Sequence, residues 1–102
     1  MCIFADTTER IISAVCQEYG VKRKELFSRC RLRLLTEARQ MTMYLVRHKM
    51  HGSLNEVGEV FGRDHATASY SINKIGGLLE YDRTTKLHYD NINKILNEQQ
   101  QI

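Results

Sequence analysis

The 102-residue chain contains no proline, so no position forces a break inside a helical pattern. Strand-like alternation of β-branched residues is also missing, while Leu, Glu, Lys, Arg, Met and Gln abound. Together these absences predict an all-α fold. No apolar run is long enough to span a bilayer, and the N-terminus lacks the charged start and continuous apolar stretch of a signal peptide. The three cysteines, Cys2, Cys16 and Cys30, are odd in number and fall in no paired metal-ligand spacing. We read them as buried or incidental free thiols of a reducing cytoplasm, with Cys16 on the apolar face of Ile12 and Tyr19. His48 and His51 stand three apart with nothing nearby to complete a metal site, which makes them a solvated face. There is no Walker-type Gly-rich loop, nucleophile elbow or paired base, so neither an ATPase module nor hydrolytic catalysis has support. No enzyme, metal or cofactor is expected.

What remains is helical periodicity, enough for one compact domain over residues 1–102 with a modest core. Five or six helices are predicted. From Asp6 to about Tyr19, residues Ile11, Ile12, Val15, Cys16 and Tyr19 share one face, and Gly20 closes the helix as a left-handed cap. A short helix over Lys22 to Phe27 turns Leu26 and Phe27 inward. A longer one runs from Leu35 to about Met50 with Ala38, Met41, Leu45 and Val46 facing the core, and Gly52 separates it from the pair of helices that follows. After a turn at Tyr81-Asp82-Arg83-Thr84, a last helix carries Tyr89, Ile92, Ile95 and Leu96, and the glutamine tail frays.

Between these lies the most informative stretch. Ser53-Leu54-Asn55-Glu56 has the form of a capping box, and Val57, Val60 and Phe61 give the segment after it a buried stripe. Gly62 sits where a tight turn requires positive φ, and Asp64 is placed to cap the following helix. That helix carries Ala68, Ile72, Ile75 and Leu79 at helical spacing, though Gly76 and Gly77 weaken its end. Helix, glycine turn and helix outline a helix-turn-helix, whose second helix can enter a DNA major groove.

Net charge is only +3, a weak pointer to nucleic acid; its distribution says more. Lys22, Arg23, Lys24, Arg29, Arg31 and Arg33 crowd one region against a single acid, Glu25. Alternation places Arg29, Arg31 and Arg33 along one side of an extended loop, which can follow a phosphate backbone or insert a guanidinium into a minor groove. At the second helix start, Asp64 can accept from a cytosine amino group and His65 can donate to a purine or a phosphate. The methyls of Ala66 and Thr67 can pack on a thymine methyl.

Residues 57 to 67 (Val-Gly-Glu-Val-Phe-Gly-Arg-Asp-His-Ala-Thr), then Lys74-Ile75, and Ala38-Arg39-Gln40 after the basic loop, resemble the C-terminal DNA-binding domain of the bacterial replication initiator DnaA, a Trp repressor-like fold. The likeness extends from about Asp6 to Leu96. It implies that Asp64, His65, Ala66 and Thr67 read bases in the major groove and that Arg31 enters the minor groove. It further implies phosphate or positioning contacts for Arg29, Arg33, Arg39, Gln40, Ser53, Arg63 and Lys74. The partner implied is double-stranded DNA carrying a DnaA-box-like site, together with an initiator or replication protein. The expected setting is the nucleoid of a bacterial cytoplasm, away from membranes. The chain is then either an excised C-terminal domain or, given its complete-looking first helix, a stand-alone relative.

Blander readings stand beside these. Asp64 serves equally well as a cap alone, Gly58 as a relief for closely crossing helices, and Arg39 as a partner for Glu37 or Glu9. Two other function classes fit the pattern: a helix-turn-helix transcription regulator with an unrelated site, and a helical protein-interaction adaptor that has lost DNA binding.

Overall fold

A computed structural model describes residues 3–100, with side chains placed from residue 7 to residue 98. Cys2 and the end of the glutamine tail lie outside the described residues. Six helices follow one another: α1 (Ile3–Tyr19), α2 (Arg23–Leu26), α3 (Arg33–Met50), α4 (Leu54–Glu59), α5 (His65–Tyr81) and α6 (Arg83–Gln100). Among the described residues there is no strand, and no helix is long and apolar enough to cross a membrane.

α3 is the central post. It packs against α1, α2, α4 and α5, and its Ala38, Met41, Leu45 and Val46 are fully buried. Around it gather Ile11, Val15, Leu26, Val57, Ala68, Ile75 and Ile92 in one continuous cluster. Burying apolar area of this kind, at about 25 cal/mol per Å², is what holds helices of such modest length in place. Cys16 is half-buried, which pushes its thiol pKa up, and Cys30 is exposed.

The helix ends follow local chemistry. Gly20 has φ +66° and Gly62 the same, so both turns use the left-handed region that glycine enters without strain. α3 ends instead on His51 in that region, at φ 56°. The turn expected over Tyr81–Thr84 contracts to the single residue Asp82. Its extended backbone ends α5, while its carboxylate accepts from the Thr84 amide at 3.2 Å and the buried Thr85 hydroxyl at 2.9 Å to start α6.

α5 runs unbroken through Gly76 and Gly77 to Tyr81. A Cβ added at Gly77 meets nothing within 4 Å. Gly77→Ala is therefore expected to stabilise the protein by about 1 kcal/mol, raising Tm by about 5 °C, because only helix propensity changes. A lowered Tm in a thermal scan would show that this position needs its glycine.

One inward residue of the sequence reading turns out. Phe27 is 42% exposed, because α2 ends at Leu26 and the chain rotates there. Its ring packs on Phe61 at 5.1 Å between centroids, with the Arg23 guanidinium 5.0 Å over it.

Candidate nucleic-acid interface

The first helix of the helix-turn-helix, α4, starts on the expected capping box. Ser53 Oγ accepts from the Glu56 amide at 3.1 Å, and the Ser53 amide donates to Glu56 Oε1 at 2.9 Å. That amide, and then the hydroxyl, hold the Glu56 carboxyl below its ordinary pKa. α4 ends in a Schellman pattern: the Arg63 amide donates to the Gly58 carbonyl at 2.8 Å and the Gly62 amide to the Glu59 carbonyl at 3.2 Å. Gly58 is buried beneath this turn. A Cβ there would lie 2.5 Å from the Arg63 carbonyl oxygen and 2.9 Å from that of Asp64. The close approach that this glycine permits is thus between helix and turn, not between two helices.

Asp64 caps α5, its Oδ1 accepting from the Thr67 amide at 2.9 Å, and that bond lowers its carboxyl pKa. Arg63, Asp64, His65, Ala66 and Thr67 are all exposed, so the tip of α5 presents its side chains outward. Ala68 and Ile75 hold the opposite side of the helix in the core.

The basic loop between α2 and α3 is shaped from inside by one residue. Arg39 is only 6% exposed. Its Nε donates to the Leu26 carbonyl at 2.7 Å and Nη1 to that of Cys30 at 2.7 Å. Nη2 donates to the carbonyls of Ser28 at 2.7 Å and Glu25 at 3.2 Å. A planar fork of donors meets four carbonyls that point inward around a tight loop, something a lysine ammonium cannot do. Burial, and then the nearby Arg63 guanidinium, pull the Arg39 pKa below the ordinary arginine value. The guanidinium is thus engaged with the protein's own backbone and holds the loop from behind. Neither acid proposed as its partner takes it: Glu37 accepts from the Tyr19 hydroxyl at 2.8 Å, and Glu9 pairs with Arg23 at 2.6 Å. Glu25, the single acid of the basic run, accepts from the Lys22 amide at 2.9 Å.

With its carbonyls turned in, the loop turns Arg29 and Arg31 out. Both line a cleft of about 560 Å³ whose wall also includes Thr36, Arg39, Gln40, Met43, Arg63, Thr67, Tyr70 and Ser71. The structure therefore brings Arg29, Arg31, Gln40, Arg63 and Thr67 around one depression, with Asp64, His65 and Ala66 exposed at the α5 tip. Arg33 departs from this group. It is the first residue of α3, not part of the extended loop, and it borders a different depression with Leu34, Glu37, Asp82, Thr84 and His88. Ser53 stands at the start of α4 with its hydroxyl engaged in the capping box. Lys74 lies farther along α5, its Nζ 5.9 Å from the centre of the Tyr70 ring.

Thr36, Met43, Tyr70 and Ser71 are cleft residues that sequence reasoning passed over, and of these Tyr70 stands out at 61% exposed. The available signal was its spacing: Tyr70 follows Thr67 by three residues, so the two share a helix face.

The family described as bacterial dnaA protein helix-turn-helix matches residues 8–75, from α1 to the buried Ile75 of α5. The chain belongs to that family. The chain is 44% identical over 82 residues to the chromosomal replication initiator protein DnaA of Synechocystis sp., a match covering 79% of this chain and 18% of the relative. The DnaA of Thermus thermophilus is 44% identical over 80 residues, 78% of this chain and 18% of the relative. That of Bartonella quintana is 35% identical over 92 residues, covering 89% and 19%. The chain thus spans under a fifth of the length of these DnaA relatives. The matched family region contains the whole α2–α3 loop, Arg39, the capping box and the Arg63–Thr67 tip.

Proposed function

We propose that this chain is a non-enzymatic DnaA-type domain that binds double-stranded DNA sequence-specifically. The amino end of α5 lies in the major groove, and the Arg31 loop reaches into the adjacent minor groove. The observation that carries this reading is the shared cleft, which sets the outward arginines of the loop beside the exposed tip of α5. Asp64, His65, Ala66 and Thr67 then face base edges, Arg31 the minor groove, and Arg29, Arg63, Gln40 and Lys74 the phosphates. The target is a DnaA-box-like site, the setting a bacterial nucleoid, and a further partner an initiator or replication protein. Residues 1–102 act as one unit in this role.

Phosphate contacts supply sequence-independent, salt-sensitive affinity, and each good base contact adds about 1–3 kcal/mol of discrimination. The test begins with selection of a preferred site from a random duplex library. Against that site, His65→Ala is expected to lose about 1–3 kcal/mol of discrimination while keeping its affinity for random duplex. Arg31→Ala is expected to impair the selected site more than random DNA. Equal losses on both duplexes in the His65 variant would refute its base-reading role. No salt-dependent binding of any duplex by the parent protein would refute the whole reading.

A further inference from the structure

Two elements seated in neighbouring grooves of one duplex straddle the sugar-phosphate strand that separates those grooves. In this protein the space between the Arg31 loop and α5 is the cleft just described, so on the proposed function the straddled strand lies across it. Its basic wall is supplied by Arg29, Arg31 and Arg63. Its α5 wall is different in kind, formed by the small side chains of Thr67 and Ser71 and by the ring of Tyr70. Ser71 is 2% exposed and cannot reach far out, whereas Tyr70 stands 61% exposed. Its hydroxyl has no protein partner among the hydrogen bonds of the described residues, and its ring is flanked by Lys74 rather than by core side chains.

An exposed tyrosine is an amphipathic contact group, its ring suited to the apolar edge of a deoxyribose and its hydroxyl to a phosphate oxygen. Resting on the proposed function, we infer that Tyr70 is a binding residue for the straddled strand: its ring packs on a deoxyribose and its hydroxyl donates to the adjoining phosphate. It therefore adds affinity without reading sequence, and without adding charge.

The test measures binding of the full chain to the selected duplex and to a random duplex by fluorescence anisotropy, between about 50 and 200 mM salt. Tyr70→Ala is expected to bind both duplexes about tenfold more weakly, with Tyr70→Phe between it and the parent, as loss of ring and hydroxyl together or of the hydroxyl alone dictates. The salt slope stays that of the parent, because no charge is removed, and Tm is unchanged. Parent-like affinity in Tyr70→Ala overturns the inference, as does a loss confined to the selected duplex, which marks a base contact. A salt slope lowered by about one in Tyr70→Ala, matched by the same loss in Lys74→Ala, overturns it too, because the effect then passes through the lysine. Failure of the proposed function is read separately, from the parent protein: no salt-dependent binding to either duplex overturns both.

Discussion

Arg39→Ala is expected to lower stability by about 3 kcal/mol and to weaken duplex binding in the same protein, although this side chain faces the protein's own backbone. Four carbonyls, of Glu25, Leu26, Ser28 and Cys30, take hydrogen bonds from its guanidinium. Removing it leaves those carbonyls to compete for water around an unfilled hole beside Leu26. A total of about 3 kcal/mol, well short of a strong bond for each contact, follows because the loop is open on its outer side and water can reach part of it. On the proposed reading, Arg29 and Arg31 then lose their preset direction, and binding pays an ordering cost that the native loop has already met. Arg39→Lys is expected to recover little of either loss, since one ammonium cannot span four acceptors. Urea unfolding and anisotropy on one preparation check this. Stability within about 0.5 kcal/mol of the parent would show that the loop holds its shape without the fork.

Gly58→Ala is expected to destabilise by about 1–3 kcal/mol, the range for forcing an extra methyl into a tightly packed place. By helix propensity alone the change favours the helix by about 1 kcal/mol, so the sign itself is the test. The added carbon would sit 2.5 Å from the Arg63 carbonyl oxygen, and that neighbour is backbone, which cannot swing aside as a side chain can. The turn relaxes only by lifting Arg63 and Asp64, which tilts the start of α5. Base discrimination therefore falls along with stability on the proposed reading. Gly77→Ala is the matched control, the same substitution in a helix with open space above it. Stabilisation by both alanines in urea unfolding would mean that the turn moves away at no cost.

The parts of this fold that were legible in the sequence are those decided within a few residues. Ser53 with Glu56, Gly62 and Asp64 each announce a local backbone event, because a cap or a positive φ needs a particular side chain at a particular place. The buried faces of α1 and α3 were legible as well, from spacing alone. What escaped depends on where other segments lie. Phe27 follows Leu26 and reads as core, yet the chain rotates between them and the ring meets Phe61, distant in sequence. Arg39 reads as one more cation in a basic neighbourhood, and only the curl of the loop reveals acceptors on its inner side. Tyr70 offers an aromatic at helical spacing, which usually means burial; its outward direction depends on Ala68 and Ile75 holding the other side of α5. Asp82 escaped for another reason: one residue ending one helix and beginning the next leaves no stretch of turn-forming composition to notice.

The contact of Phe27 with Phe61 joins the end of α2 to the turn before α5. The basic loop and the tip of α5 are thereby tied to each other through packed rings, like the jaws of a caliper. If such a caliper closes on a double helix, the double helix does the adjusting: wherever its natural groove widths differ from the jaw spacing, it must be bent or narrowed to fit. The energy of that distortion varies with the stiffness of each base step. Preference among sites then extends to base pairs that no side chain touches.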